Sequence, residues 1–365
     1  MIRSRLLPVL GVTAAVATAA VVIAAQSPSG GSAPAAAGPV AGGSLAAGGS
    51  LAAVGSADTS VVEAVTRPSV PRSAPYLYLG WSNPQDPVAV MRATGIRWFS
   101  LSFILARNGC NPAWDGARPL RGSVEDRQIA RIRAAGGDVI AVFGGWDGNK
   151  LSMACRTPGA LANAYRVVVD TYGLRAIDIN LENTEASNAT LRNRVVDALK
   201  LLRHARPAVR ISVTASATSS GGYAHGQGLL AVQRAARIGL QIDSWSTMPF
   251  NFSRNPSANM AAITGHVMEG LRAQVQSAYH ITTARAYNLI GLVAMNGRSD
   301  YGEISSTATF TQLLGYARSR HLARFSFWSV NRDRACPRGL NNPDGCSGVG
   351  QHPLDFTRIV ARYLG

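Results

Sequence analysis

The chain has 365 residues, 47% hydrophobic and 15% charged, with 36 Lys plus Arg against 20 Asp plus Glu for a net charge of +16. That apolar content supplies one large core or two ordinary ones and excludes a disordered polymer. Its four cysteines form no Cys-x-x-Cys pair and no Gly-x-x-x-x-Gly-Lys-Ser/Thr loop occurs, which argues against zinc ribbons, thioredoxin-type redox motifs and P-loop nucleotide hydrolysis.

Residues 1–25 place Arg3 and Arg5 ahead of an apolar stretch from Leu6 to Ala25. This is the pattern of a secretory signal peptide, either cleaved or kept as an N-terminal anchor. Residues 26–74 are mostly Ala, Gly, Ser, Val and Pro, without aromatics, and repeat Gly-Gly-Ser-Leu-Ala-Ala at 42–47 and 48–53. Such a segment cannot bury enough surface to offset its ordering entropy, so a disordered, flexible linker is expected. The body is therefore expected to be secreted or extracellular, free or tethered. In that oxidising setting the expected disulfides are Cys110 with Cys155 and Cys336 with Cys346, out of three connectivities open to four cysteines.

The folded part is expected to span 75–365. Eight short apolar runs recur in it: Tyr76–Trp81, Trp98–Leu105, Val139–Phe143, Ala176–Glu182, Arg210–Ala215, Asp243–Phe250, Leu289–Met295 and Phe325–Val330. Several are rich in β-branched or aromatic residues, as buried strands are. Segments with helical spacing lie between them: 127–135 ends at Gly136-Gly137, Leu161–Tyr172 ends at Gly173, and Leu191–Ala205 ends before Pro207. Eight strands alternating with helices predict an α/β fold, a (β/α)8 TIM barrel. A doubly wound open sheet is the alternative, and no Gly-x-Gly-x-x-Gly turn supports it.

Ligand chemistry in such barrels sits at the carboxyl ends of the strands. In the fourth predicted strand, a period of two puts Asp178, Asn180 and Glu182 on one face and Ile177, Ile179 and Leu181 on the other. Three inward polar residues in succession are costly to bury without a purpose. One purpose is a carboxylate that handles protons on a bound substrate. The competing reading is a buried ion-pair cluster with an arginine.

These residues and several others resemble the family-18 glycoside hydrolases, the chitinase superfamily. The family's strand-four signature Asp-x-x-Asp-x-Asp-x-Glu is similar to Arg175-Ala-Ile-Asp178-Ile-Asn180-Leu-Glu182. Its strand-three Ser-x-Gly-Gly is partly matched by Val142-Phe-Gly144-Gly145, its strand-six Met-x-Tyr/Met-Asp by Met248-Pro-Phe250-Asn251, and its strand-eight Trp by Trp328. Cys110-Asn-Pro-Ala-Trp114 and the segment from Asn331 to Gly348 look closest to a secreted, mainly actinobacterial branch.

The resemblance implies a retaining hydrolase acting on polysaccharides or oligosaccharides that contain β-linked N-acetylhexosamine, with no metal and no organic cofactor. Glu182 would be the acid/base, supported by Asp178 and Asn180, its pKa raised towards the working pH by burial. The substrate's own acetamido carbonyl would serve as nucleophile. Gly144, Gly145, Met248, Phe250, Asn251 and Trp328 would line the cleft, Trp328 as the apolar floor under the sugar. Trp146 and Tyr223 are candidates for stacking on the sugar chain.

Two positions depart from the family pattern in a way that bears on turnover. Asn180 and Asn251 stand where the family has Asp, so an amide replaces a charge that steadies the cationic intermediate. A binding protein that keeps the cleft and has lost most of its turnover is therefore the second functional reading.

The positive charge rests almost wholly on arginine, with Lys150 and Lys200 the only lysines. It suits attraction to an anionic cell envelope. No helix-turn-helix, RNA-recognition signature or continuous basic run points to nucleic acid. Six scattered histidines show no His-x-x-x-His spacing for a metal. The chain is expected to act as a monomer.

Overall fold

The structure, a computed structural model, describes residues 72–80, 83–338 and 344–363. The signal or anchor segment expected at 1–25, and all of the expected linker but its last three residues, lie outside the described residues.

Each of the eight predicted runs contains a strand, and the helices between them begin and end where local chemistry dictates. β1 is Tyr76–Tyr78, β2 Trp98–Arg107, β3 Asn111–Trp114, β4 Asp138–Gly144, β5 Ala176–Leu181, β6 Arg210–Ser216, β7 Ser244–Met248, β8 Ile290–Met295, β9 Gly297–Arg298, β10 Ile304–Ser305 and β11 Arg324–Trp328. The helix Pro158–Tyr172 starts with the Thr157 side chain accepting from Ala160 N–H and stops at Gly173 in the left-handed region. Asn188 caps the helix Ala189–Ala205 in the same way, accepting from Leu191 N–H. The helices pack on the outward faces of the strands.

The main sheet runs β1-β2-β4-β5-β6-β7-β8-β11, every neighbouring pair parallel. β11 then returns to the start of the chain. Phe325 N–H donates to the Arg72 carbonyl at 2.8 Å, and Ser326 Oγ donates to the Ala74 carbonyl at 2.6 Å. At the opposite end the Asn331 side chain accepts from Tyr78 N–H (3.0 Å) and donates to the Tyr78 carbonyl (2.8 Å). These contacts bring the first and last strands together, which makes the sheet a nearly closed eight-stranded TIM barrel. They also recruit 72–74, which composition assigns to the linker: Ser73 and Ala74 are buried.

Three antiparallel strands are absent from the sequence reading: β3, and the short pair β9 and β10. β3 folds back on β2, pairing Ile104 with Trp114 and Arg107 with Asn111. Asn108 and Gly109, both at positive φ, make the turn, a conformation that this dipeptide adopts at low cost. The hairpin brings Cys110 to Cys155, and these two are bonded, as are Cys336 and Cys346.

The barrel interior is unusually polar. Ser100, Asp178, Thr214, Ser244, Ser246, Arg324 and Ser326 are all buried. The apolar core lies instead between strands and helices, where Ile177, Ile179 and Leu181 of β5 are directed. Among the described residues no helix is long and apolar enough to cross a membrane, and no group of three His, Cys, Asp or Glu is placed to hold a metal ion.

Candidate active site

The end of β5 is shaped by two backbone devices. Gly144, the last residue of β4, and Gly145 both have positive φ, and Gly145 N–H donates to the Asn180 carbonyl at 3.0 Å. A Cβ on Gly144 would lie 2.3 Å from that carbonyl oxygen, and one on Gly145 would lie 2.9 Å from the Phe103 ring, so glycine is required by space as well as by φ. Beyond Glu182, Asn183 adopts φ +49 and turns the chain directly into the short helix Asn183–Ser187. Glu182 is thus held at the strand terminus.

Asp178, deepest of the three inward residues, is fully buried and densely bonded. Thr214 Oγ1 donates to it at 2.9 Å, Arg324 forms a close buried ion pair with its Oδ2, and Arg324 also donates to Ser100 Oγ at 2.7 Å. The Tyr76 hydroxyl lies 2.8 Å from Asp178 Oδ2 and 2.8 Å from Asn180 Oδ1, bridging the two side chains. Burial, and then the Asp178 charge, hold this phenol well above its ordinary range, so it remains a donor. The arginine ion pair that competes with the catalytic reading is therefore present, and it engages Asp178 alone.

Glu182 stands apart from it. It is 8% exposed, makes a hydrogen bond at 3.2 Å from Asn180 Nδ2, and has no ion-pair partner within salt-bridge distance among the described residues. Burial is the largest cause pushing its pKa up, to about 7, against the Asn180 hydrogen bond and the positive charge of Lys150. Near neutrality this carboxyl can give up a proton and take it back. That is what a general acid/base requires.

An aromatic cluster adjoins these residues through Tyr76. Tyr76, Val142, Met248 and Val293 form a small buried cluster, with the half-buried Phe103, Phe250 and Trp328 packed on it. Phe103 stacks on Trp328 with centroids 5.7 Å apart and planes 20° from parallel, and Tyr76 meets the same indole edge-on at 5.9 Å. Six of the sequence-predicted residues thus come together here: Asp178, Asn180, Glu182, Met248, Phe250 and Trp328, bordered by Gly144 and Gly145.

Other candidates are placed differently. Trp146 is 60% exposed beyond the Gly-Gly turn, its carbonyl accepting from Asn183 Nδ2 at 3.3 Å. The Asn251 side chain is engaged by Asp300, donating to Oδ2 at 2.9 Å and accepting from the backbone N–H at 3.2 Å. Tyr223 is fully buried, donating to the Ser246 carbonyl at 2.6 Å, and so is not available for stacking.

Sequence reasoning missed Tyr76, Phe103, Thr214 and Arg324. A period of two along their strands carries a signal for Tyr76, Thr214 and Arg324, but nothing in the sequence says which strands are neighbours. Phe103 required knowing that β4 ends in a turn against it.

No family model matches the chain. A protein of Escherichia coli (strain K12), described as a probable bifunctional chitinase/lysozyme, is 24% identical over 282 residues, covering 73% of this chain and 31% of that protein. Endochitinase 11 of Metarhizium anisopliae is 23% identical over 272 residues, 71% of this chain and 52% of its own length. The chain thus spans about a third of the first relative and about half of the second.

The solved catalytic domain of a hyperthermophilic chitinase from Pyrococcus furiosus superposes with a TM-score of 0.73 at 28% identity, over 81% of this chain and 96% of that one. The chain is therefore chitinase-like in sequence and fold, in keeping with its resemblance to the family-18 glycoside hydrolases. These relatives do not support the narrower actinobacterial resemblance.

Proposed function

We propose that this chain is a secreted glycoside hydrolase that cleaves β-linked N-acetylhexosamine polymers of the chitin type, with Glu182 as acid/base. The observation that carries this reading is the place of Glu182: a carboxyl at the carboxyl end of the fourth barrel strand, buried and without a salt-bridged cation, so that burial pushes its pKa up to about 7.

In the proposed reaction protonated Glu182 gives its proton to the glycosidic oxygen as the bond from that oxygen to the anomeric carbon breaks. The substrate's 2-acetamido carbonyl oxygen bonds to the anomeric carbon, forming an oxazolinium ring. Water then adds to that carbon, loses a proton to Glu182 and releases the acetamido group. Tyr76 and Asn180 are positioned to orient the acetamido group, and Trp328, stacked on Phe103, offers an apolar face to the pyranose ring. The two disulfides are in keeping with an oxidising destination. The arginine-rich surface suits an anionic envelope around it.

One observation favours a second reading, a carbohydrate-binding protein with little turnover. Asn180 contributes an amide next to Glu182 where a second carboxylate would stabilise positive charge, and Asn251 is occupied by Asp300. Incubation with N-acetylglucosamine oligomers of increasing length, recording binding and cleavage together, separates the two. Cleavage that disappears in Glu182→Gln establishes the hydrolase; binding without cleavage in both proteins establishes the binding protein. Neither binding nor cleavage would overturn both.

A further inference from the structure

The exposed aromatic side chains are not scattered over the surface. Among the described residues there are two, Trp146 at 60% and Tyr301 at 54%, and both lie on loops that leave the carboxyl ends of barrel strands. Trp146 follows β4 and Tyr301 follows β8, the third and seventh of eight strands in the sheet order, so the two loops leave the barrel on opposite sides of the mouth. Glu182 follows the fourth strand in that order and Trp328 ends the eighth. A chain laid from Trp146 to Tyr301 therefore passes between them. A single exposed apolar residue needs no explanation, but a pair flanking a ligand-binding mouth does.

Tyr301 sits in the turn between β9 and β10, and that turn is built from within. Ser299 Oγ accepts from Tyr301 N–H at 3.3 Å and from Gly302 N–H at 3.2 Å, and Ser299 N–H donates to the Glu303 carbonyl at 2.9 Å. The hairpin is also clipped to the loop after β7. Glu303 is 1% exposed, and its carboxylate accepts from Phe252 N–H at 3.0 Å and from Ser253 N–H at 3.3 Å. The two hydrogen bonds between Asn251 and Asp300 complete the clip, one residue from Phe250, whose ring packs on the cluster that holds Trp328. The tip of the hairpin is thus fixed beside the mouth before any ligand arrives.

Asp300 is exposed, and Asn251 engages one of its two carboxylate oxygens. Among the described residues its side chain makes no other hydrogen bond and no ion pair. A carboxylate with an oxygen to spare, next in the chain to an exposed ring, suits a sugar: the ring covers the apolar face of a pyranose, and the carboxylate accepts from a hydroxyl or an amide N–H. We propose that Asp300 and Tyr301 form an outer sugar-binding subsite on the β8 side of the mouth, one that holds a ring of the bound chain away from the bond that Glu182 protonates. Trp146 flanks the same path on the β4 side. This rests on the reading of the site as one for N-acetylhexosamine chains, and it adds that the site is built for long ones.

An outer subsite is felt only by a chain long enough to reach it. Binding isotherms, with kcat and KM where cleavage occurs, on N-acetylglucosamine oligomers of increasing length test this in the full chain. Tyr301→Ala and Asp300→Ala should each weaken binding of the longest oligomers about tenfold, raising KM more than they lower kcat, and leave the shortest oligomers within about twofold of the parent. Tyr301→Phe keeps the ring and should keep the affinity for long oligomers. Affinities unchanged at every length, a loss that is equal at every length, or a Tyr301→Phe that loses as much as Tyr301→Ala, would overturn the subsite.

Should Asp300→Ala fail to fold, because it breaks the clip to Asn251, Tyr301→Ala decides alone, its ring being exposed. A length-dependent loss of affinity in a protein that cleaves nothing upholds the subsite and sinks the hydrolase. Cleavage with long-oligomer affinity unmoved by Tyr301→Ala does the reverse. A parent that neither binds nor cleaves any oligomer overturns both.

Discussion

Asp178 and Glu182 lie four residues apart on the same face of one strand, and the protein treats them in opposite ways. Asp178 is saturated, with a guanidinium, a threonine hydroxyl and a phenol all directed at its two oxygens. Glu182 receives one long hydrogen bond from an amide, and burial raises its affinity for a proton. A carboxylate whose oxygens are all engaged by buried partners serves structure. One that is buried without a salt-bridged cation becomes a group whose proton can be exchanged near neutral pH. The teaching is that the ion pair on this strand belongs to Asp178 and leaves Glu182 open to the role proposed for it.

The contrast can be tested from both ends. Glu182→Gln should reduce oligosaccharide cleavage by about 10³-fold or more, the usual scale for removing a general acid/base, with little change in binding. Initial rates and a binding isotherm on the same oligomer check it. Arg324→Met strands a buried anion and should destabilise the fold by about 3–5 kcal/mol, read as a lower urea midpoint. Replacing Asp178 by Leu in that background should recover much of the loss, because it removes the stranded charge. Should Arg324→Met prove neutral, the description of Asp178 as a structural anion is wrong.

Asn180→Asp sharpens the comparison between the two carboxyls by placing a third between them. If the missing charge limits turnover, cleavage should rise by about 10²-fold, within the range for one preorganised electrostatic partner. A fall in rate would show that Asn180 suits this site as it stands.

The smallest effect concerns pH. Acting as the acid, Glu182 should let kcat/KM fall about tenfold per unit above about pH 7. Its proton is bound more tightly in the folded chain than at the ordinary value of 4.5. The stability it contributes is therefore complete below that value and is lost as pH rises towards about 7. Glu182→Gln should consequently be the more stable protein at pH 8, by about 1–3 kcal/mol, and not at pH 4. Denaturant titrations at the two pH values check the sign.

The barrel was legible because each run carries its own evidence. Ile177, Ile179 and Leu181 alternate with Asp178, Asn180 and Glu182 whatever surrounds them, and Thr157, Asn188 and Gly173 mark helix ends from within the chain. The β3 hairpin was not read, although Asn108-Gly109 is a turn signal, because Asn111–Trp114 is only four residues long and its Pro112 argues against a strand. For Tyr223 stacking and packing were both open, because an aromatic residue near the mouth looks the same in sequence whether its ring faces the site or the core; it packs.

What the sequence determined by itself was local: alternating faces, caps, and the ordered motifs that mark a chitinase-like barrel. What only the tertiary structure decided was company. Arg324 is 146 residues from Asp178 and Tyr76 is 102 residues from it, yet both are in contact with it. The physical reason is that protonation and ion pairing depend on burial and on charges a few ångströms away, and separation along the chain carries almost no information about either.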